Sequence, residues 1–307
     1  MSLHPKIQAM IDKGAGLPPL ESLPVATIRA GDMARYTFDA PRDEVADVSD
    51  RHIPGPHGNI RIRIYRPDMQ DNRPVVVFFH GSGFVICSVE THDSICRQIC
   101  ARAGVVVVSV DYRLAPENKF PAAPDDCYAA TRWVAAHAAT FGGDPARLAV
   151  CGDSAGGTMA AVVTQRARDE HGPKIAAQML IYPVTDHYSG ERPSFSQRGT
   201  GCGLTRSAMI WFWDLYLSDP AQGAHPHASP IRAKSLAGLP KAYVFTAEYD
   251  LLRDEGEDYA QRLKQAGVAV EMLRYDDMNH GFLNWVGLVD RSTQAMDAMC
   301  AWIRKSL

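Results

Sequence analysis

The stretch Leu148-Ala149-Val150-Cys151-Gly152-Asp153-Ser154-Ala155-Gly156-Gly157 decides how the rest of this chain is read. Four apolar residues run into a G-x-S-x-G pentapeptide, and a helix-like sequence follows. A chain that leaves a strand, turns sharply and starts a helix holds the apical residue in a strained backbone conformation and pushes its side chain into the open. Strand and helix then approach so closely that only small neighbours fit. Gly152 and Gly156 lie two residues either side of Ser154 and meet that need, and Gly157 relieves the crowding further. The string reads as a nucleophile elbow with Ser154 at its apex.

A serine hydroxyl is a weak nucleophile near neutral pH, so it needs a histidine to take its proton and a carboxylate to orient that histidine. Two late segments supply them. Tyr243-Val244-Phe245-Thr246-Ala247 is strand-like and runs into Glu248-Tyr249-Asp250-Leu251-Leu252-Arg253-Asp254-Glu255. Glu248 falls at the strand end and Asp254 about a turn into the next helix, which leaves Asp250 in the loop as the expected acid. Val268 to Tyr275 is the next strand-like run, and the polar loop after it carries His280, the expected base. The order Ser154, Asp250, His280 is that of α/β-hydrolases, not of the chymotrypsin or subtilisin arrangements.

Attack on a carbonyl also calls for donors aimed at the developing oxyanion. The backbone N–H of Ala155, at the start of the helix after the nucleophile, is one. Further donors are expected from a turn after the buried strand Pro74-Val75-Val76-Val77-Phe78-Phe79, where His80-Gly81-Ser82-Gly83-Phe84 brings bare N–H groups forward.

With these segments in place the chain resembles the hormone-sensitive lipase family of carboxylesterases, in the branch whose elbow reads G-D-S-A-G. The resemblance rests on His80 to Phe84, on Asp111-Tyr112-Arg113-Leu114-Ala115-Pro116-Glu117, on the elbow, and on His280-Gly281-Phe282. The acid segment resembles the family pattern D-P-L-x-D-E, with Leu251 where proline is usual. The resemblance implies an α/β-hydrolase fold with a helical cap, oxyanion donors at Ser82, Gly83 and Ala155, and a homodimer built near Val268 to Tyr275. Ser82 departs from H-G-G-G, and its side chain is expected either to narrow the site or to add a hydrogen bond.

Composition agrees with a single α/β domain. The 307 residues are 46% hydrophobic, enough for a large core. Thirty-two basic against thirty-five acidic residues give a net charge of −3 with no basic run, so a nucleic-acid partner is not expected. No stretch reaches transmembrane length and the first residues lack a leader pattern, so a cytoplasmic location without membrane insertion is expected. Seven scattered cysteines form no C-x-x-C or disulfide framework. The pair in His225-Pro226-His227 lacks the other ligands of a metal site, and neither metal nor cofactor is expected.

From about residue 60 onward apolar runs alternate with helical patterns, as a parallel sheet with crossover helices requires. Ile60 to Tyr65 alternates like an antiparallel edge strand, and the continuous apolar run Val105 to Val110 predicts a central one. Residues from about 186 to 230 carry no strand pattern and enclose one predicted helix, Arg206 to Leu217. With residues 1 to about 45 this segment is the expected cap. Met209, Phe212, Trp213, Tyr216 and Leu217 share one face of that helix, while Ile210, Trp211 and Leu215 make the other side apolar too, so nearly all-round burial is expected. Met209, Phe212 and Trp213, with Phe84 from the glycine-rich turn, are the expected acyl-pocket residues. Asp153 and His80 read as braces of neighbouring loops, and Arg113 with Glu117 as one buried polar network. The expected activity is serine carboxylesterase action on short to medium acyl esters through an acyl-enzyme. An amidase or lactonase on the same triad, and a non-catalytic small-ligand receptor on this fold, are the alternatives.

Overall fold

In strand β3 (Arg73–Phe79), Val75, Val77 and Phe79 join one apolar cluster while Val76 and Phe78 join another, and all five are fully buried. A strand covered on both faces belongs inside a parallel sheet with helices on either side. The computed structural model, which describes residues 2–36 and 42–307, has that architecture. The remaining strands are β1 (Asp47–Gly55), β2 (Gly58–Arg66), β4 (Val106–Asp111), β5 (Gly143–Asp153), β6 (Ala177–Ile181), β7 (Lys241–Tyr249) and β8 (Val270–Asn279). They lie in the order β1-β2-β4-β3-β5-β6-β7-β8, antiparallel from β1 to β4 and parallel from there on.

The helices are α1 (Pro5–Gly14), α2 (Val25–Tyr36), α3 (Asp93–Ala103), α4 (Ala122–His137), α5 (Ala155–Asp169), α6 (Pro193–Gln197), α7 (Arg206–Tyr216), α8 (Arg253–Gln265) and α9 (Asp290–Ser306). Buried residues of α1, α3 and α9, such as Ile7, Ile99 and Met299, share the cluster of Val76 and Phe78. Those of α2, α4, α5, α7 and α8, such as Ile28, Val134, Met159, Phe212 and Tyr259, share the cluster of Val77 and Phe79. The sheet is therefore the middle layer of three.

Three expectations need correction. The strand from Gly58 to Arg66 is antiparallel but is not the edge, because β1 pairs along its outer side in register, Ile53 opposite Ile60 and Asp50 opposite Arg63. β1 escaped the sequence reading because only Ile53 of its nine residues is buried, which leaves no alternation to see. Helix α7 buries Ala208, Met209, Phe212, Trp213 and Tyr216 on one face, but Ile210, Trp211 and Leu215 are half-buried and Asp214 is exposed, so it is not enclosed all round. Arg113 and Glu117 are not partners. Arg113 grips buried Asp126 through Nε and Nη2 at 2.7 and 2.8 Å, whereas Glu117, 58% exposed, takes both Nη atoms of Arg29 at 2.9 Å.

The segment between β6 and β7 holds α6, α7 and short 3-10 turns, without a strand among the described residues. It starts at a buried anchor. Glu255 on α8 is 5% exposed and accepts the N–H groups of Thr185 and Asp186 at 2.7 and 3.3 Å. Burial pushes this carboxyl up to about 8 against the pull of those two donors and of Arg192. A carboxyl held above its unfolded value contributes stability that is intact below the ordinary carboxylate range and is lost as pH rises through about 8. Gln at 255 keeps the acceptor oxygen without the proton. Thermal denaturation should therefore show the parent protein losing a few degrees relative to Glu255→Gln between about pH 5 and pH 8, the loss levelling off above that. Parallel curves for the two proteins would refute the assignment.

Candidate active site

The loops that follow β3, β5, β7 and β8 converge at the carboxyl ends of the parallel strands, where α/β sheets place their sites. Ser154 sits between β5 and α5 at φ 54°, ψ −121°, a left-handed conformation that serine takes only under constraint. The glycines show why the sequence permits it. A Cβ on Gly152 would drive into the carbonyl of Gly156, one on Gly156 into the carbonyl of Phe79, and one on Gly157 to 2.7 Å from Pro183 Cβ. The turn is fastened by Ser154 N–H to the Ile181 carbonyl at 2.8 Å and by Val184 N–H to the Ser154 carbonyl at 3.1 Å.

His280 follows β8 directly. Its Nε2 lies 2.9 Å from Ser154 Oγ and its Nδ1 lies 2.7 Å from Asp250 Oδ2. Asp250 is 1% exposed, and its other oxygen accepts the Leu252 N–H at 2.9 Å, so the carboxylate is fixed at both ends. The edge of the His280 ring meets Tyr182, with centroids 4.9 Å apart. The two competing acids are engaged elsewhere. Glu248 is at the end of β7 and binds Arg198 and Arg253, each at 2.7 Å. Asp254 is in α8 and pairs with Arg253 Nε and Ser194 N–H, both at 2.8 Å.

The turn after β3 is braced from below. Gly81 N–H donates to Asp153 Oδ1 at 2.7 Å, and a side chain at 81 would strike that carboxylate. His92 Nε2 approaches Asp153 at 3.4 Å. Burial raises the Asp153 carboxyl, but His92, the Gly81 N–H and His80 together hold it below its usual value. His80 is fully buried, stacks on Tyr112 at 4.4 Å, and has Nδ1 3.3 Å from the Gly81 carbonyl. Burial, and after it the neighbouring His92, pushes its ring down to about 3, so it stays neutral beneath the loop.

Ser82 has turned its side chain inward. Its Oγ accepts the Phe84 N–H at 2.8 Å and lies 2.7 Å from Tyr112 Oη. Tyr112 gives its single proton to the His80 carbonyl at 2.6 Å, so the Ser82 hydroxyl is the donor to Tyr112. Of the two outcomes expected for Ser82, the structure has the added hydrogen bond. Gly83 takes φ 52°, and a Cβ there would lie 2.6 Å from the Phe212 ring, which covers it.

The cavity at Ser154 has a volume of about 80 Å³, and Ile86, Cys87, Leu204, Met209 and Phe212 form its apolar wall. Met209 and Phe212 are where the sequence puts them. Phe84 and Trp213 are not in the wall and must be reassigned. Fully buried behind it, Phe84 stacks on Tyr216 at 4.0 Å and tilts against Trp213 at 5.2 Å, so both support α7 from within. Sequence reasoning missed Ile86, Cys87 and Leu204, which lie in irregular loops where no periodicity marks a face, and Asn284, which lies in a single 3-10 turn too short to show one. It also missed Asn279, whose Nδ2 donates to the Cys202 carbonyl at 3.1 Å and so ties the histidine loop to the segment carrying Leu204. Its place beside His280 was the available signal. Among the described residues no group of three or more His, Cys, Asp or Glu side chains could hold a metal ion.

Comparison with known proteins agrees with this fold. An α/β-hydrolase-fold family profile matches residues 76–284. The carboxylic ester hydrolase LipN of Mycobacterium tuberculosis is 44% identical over 267 residues, 85% of this chain and 71% of that protein. Ethyl acetate hydrolase of Pseudomonas putida is 34% identical over 311 residues, 96% of each. The solved structure of an esterase from Pyrobaculum calidifontis superposes with a TM-score of 0.95 at 41% identity, over 99% of both chains.

If the three side chains act as a unit, Ser154→Ala and His280→Ala should each lower ester turnover by about 10⁶-fold with the fold intact by circular dichroism. Asp250→Asn, which keeps the shape but reverses the hydrogen-bonding sense at Nδ1, should cost about 10⁴-fold. Asp254→Asn and Glu248→Gln should cost far less. A larger loss at either of those two would move the acid away from Asp250.

Proposed function

Because the chain belongs to the α/β-hydrolase fold family, in its hormone-sensitive-lipase-like branch of carboxylic ester hydrolases, we propose that Ser154 is its nucleophile, His280 its general base and Asp250 the acid that orients His280. The observation that carries this is the unbroken chain Asp250 Oδ2, His280 Nδ1, His280 Nε2, Ser154 Oγ at 2.7 and 2.9 Å. As Oγ attacks the ester carbonyl, its proton passes to His280 Nε2, and the imidazolium is stabilised by the buried carboxylate. The N–H groups of Ser82, Gly83 and Ala155 receive the oxyanion, the last with the positive end of α5 behind it. Collapse expels the alcohol with the proton from His280. Water then repeats the sequence on the acyl-enzyme to release the acid.

The substrate is a small ester with a short to medium acyl chain. Support comes from the cavity of about 80 Å³, whose apolar wall is confined to Ile86, Cys87, Leu204, Met209 and Phe212. The relative from P. putida, named for ethyl acetate, points the same way. The cap is assigned to the segments 1–45 and 186–230, with α2 packed in the cluster of α7, which supplies the pocket-facing helix, while α1 packs in the cluster of α3 and α9. Residues 1 and 37–41 of that span lie outside the described residues.

Two further readings complete the proposal. The chain works in a reducing compartment, the cytoplasm. Cys96, Cys100, Cys127, Cys151, Cys202 and Cys300 are buried thiols outside any disulfide, and among the described residues no helix is long and apolar enough to cross a membrane. It acts as a homodimer through β8, the last strand of the sheet, which exposes Leu273 and would otherwise leave a pairing edge open.

With p-nitrophenyl esters of increasing length, kcat/KM should rise gently to an optimum at about C4 to C8, each methylene adding at most about 0.8 kcal/mol, and then collapse. Phe212→Ala should move the optimum to longer chains. Strong hydrolysis of emulsified long-chain triglycerides would contradict so small a pocket. Sedimentation velocity at micromolar concentration should give a dimer, and a monomer there would exclude the β8 assembly.

A further inference from the structure

The loop from Ser82 to Cys87 reaches the cavity twice, with Ser82 and Gly83, the proposed oxyanion donors, at its start and with Ile86 and Cys87 in the apolar wall at its end. Its backbone is under constraint. Phe84 and Cys87, neither of them glycine, take φ 67° and 68°. Such residues persist only where the surroundings over-determine them. Part of the restraint is internal, with Phe84 N–H on Ser82 Oγ and the Val85 and Ile86 N–H groups on the Ser82 carbonyl at 3.0 and 2.9 Å. These bonds fix the loop's shape but not its position against the sheet.

Tyr112 on Ser82 and the Ala115 N–H on the Phe84 carbonyl at 3.0 Å hold the first half of the loop, and the second half is positioned by a helix far away in sequence. Arg29 and Asp32 are three residues apart on α2 and so share one face. Arg29 Nε donates to the Val85 carbonyl at 2.8 Å, and its Nη2 donates to the Ala115 carbonyl at 2.7 Å. Asp32, 5% exposed, accepts the Cys87 N–H at 2.8 Å. A carbonyl and an amide of the same strained loop, two residues apart, are thus held by a cation and an anion from one rigid element. Charge-assisted bonds of this kind are short and directional. Glu117 holds the outer side of the Arg29 guanidinium.

We propose that Arg29 and Asp32 are positioning residues for ester hydrolysis: from α2 they clamp the 82–87 loop so that its N–H groups stand where the oxyanion forms. The proposal rests on Ser82 and Gly83 being oxyanion donors. Neither clamp residue lines the cavity, so their removal acts through the loop. A donor displaced by about 1 Å loses much of its hold on the transition state while the ground-state ester is bound much as before.

The test measures kcat and KM for p-nitrophenyl butyrate, with Tm, in Asp32→Ala, Asp32→Asn, Arg29→Met and Glu117→Gln. Asp32→Ala should lower kcat by about 10- to 100-fold and Arg29→Met by about 10-fold, with KM within about threefold of the parent value. Asp32→Asn should restore kcat to within about threefold, because an amide oxygen still accepts the Cys87 N–H. Glu117→Gln should stay within about twofold, since it leaves both Arg29 bonds to backbone in place. Phosphonylation by a p-nitrophenyl phosphonate, which needs the same donors, should slow in step with kcat. The clamp is overturned if Asp32→Ala and Arg29→Met keep kcat within about twofold, whatever their Tm, or if Asp32→Asn is no better than Asp32→Ala. Should Asp32→Ala fail to fold, Arg29→Met decides by the same criterion. The underlying site has its own readout: a parent enzyme that hydrolyses the ester without phosphonate labelling of Ser154 would overturn the nucleophile assignment, and the clamp with it.

Discussion

The crowding of three backbones around Ser154 is the constraint on which this structure depends. The end of β5, the first turn of α5 and the carbonyl of Phe79 at the end of β3 meet with no room for a side chain at Gly152 or Gly156. Because β3 and β5 are neighbours in parallel register, Phe79 beside Gly152, the same contact sets the height of the elbow and of the turn that begins at His80. Ser154 and the turn from His80 to Phe84 are thereby referenced to one another by main chain alone. Asp250 and His280 follow β7 and β8, farther along the same sheet, and reach back to Ser154 through loops. A rigid parallel sheet converts four separate sequence segments into one site.

Beneath the loop, polar burial does what close packing cannot. Asp153 is adjacent to Ser154, yet its carboxylate bonds the Gly81 N–H and His92 instead of His280. An ionised carboxylate in so dry a place survives only with donors around it, and those donors belong to the elements that must be held. His80, kept neutral by burial, adds stacking and one weak hydrogen bond without adding charge. Two carboxylates a few residues from the chemistry therefore have different tasks, Asp250 toward His280 and Asp153 toward the loop. Their surroundings make the difference.

Much of this was legible in the sequence wherever a local rule operates. G-x-S-x-G forces a turn whatever surrounds it, and the positions of Asp250 and His280 at strand ends follow from runs such as Tyr243 to Ala247 that can only be buried. Edge strand β1 was invisible because one buried residue in nine makes no pattern. The partners of Arg113 and Glu117 were mistaken because proximity in sequence says nothing about which way side chains leave a loop; Asp126 and Arg29 are the true neighbours. Phe84 and Trp213 were placed in the pocket since an aromatic near a site fits either its wall or its support, and only packing tells the two apart. Ile86, Cys87 and Leu204 take that place from irregular segments, where neither the 3.6 nor the 2.0 period applies.

Ser82 shows how a departure from a motif can be absorbed without loss. Of the two central positions in the turn, Gly83 needs the left-handed region, whereas Ser82 is not among the described residues with positive φ. A glycine at 82 would therefore be a convenience and not a requirement. Serine returns something for its added atom. Its hydroxyl accepts the Phe84 N–H and donates to Tyr112, whose own proton goes to the His80 carbonyl, so three elements around the turn are joined through one side chain. Tyr112 lies just past β4, the strand beside β3 in the sheet. The loop is consequently held from every side: Asp153 from the elbow, Tyr112 from the sheet, Phe212 over Gly83, and Arg29 with Asp32 from the amino-terminal helix. Catalysis by preorganised N–H groups asks for that redundancy, because a donor is useful only if it does not have to move when charge appears.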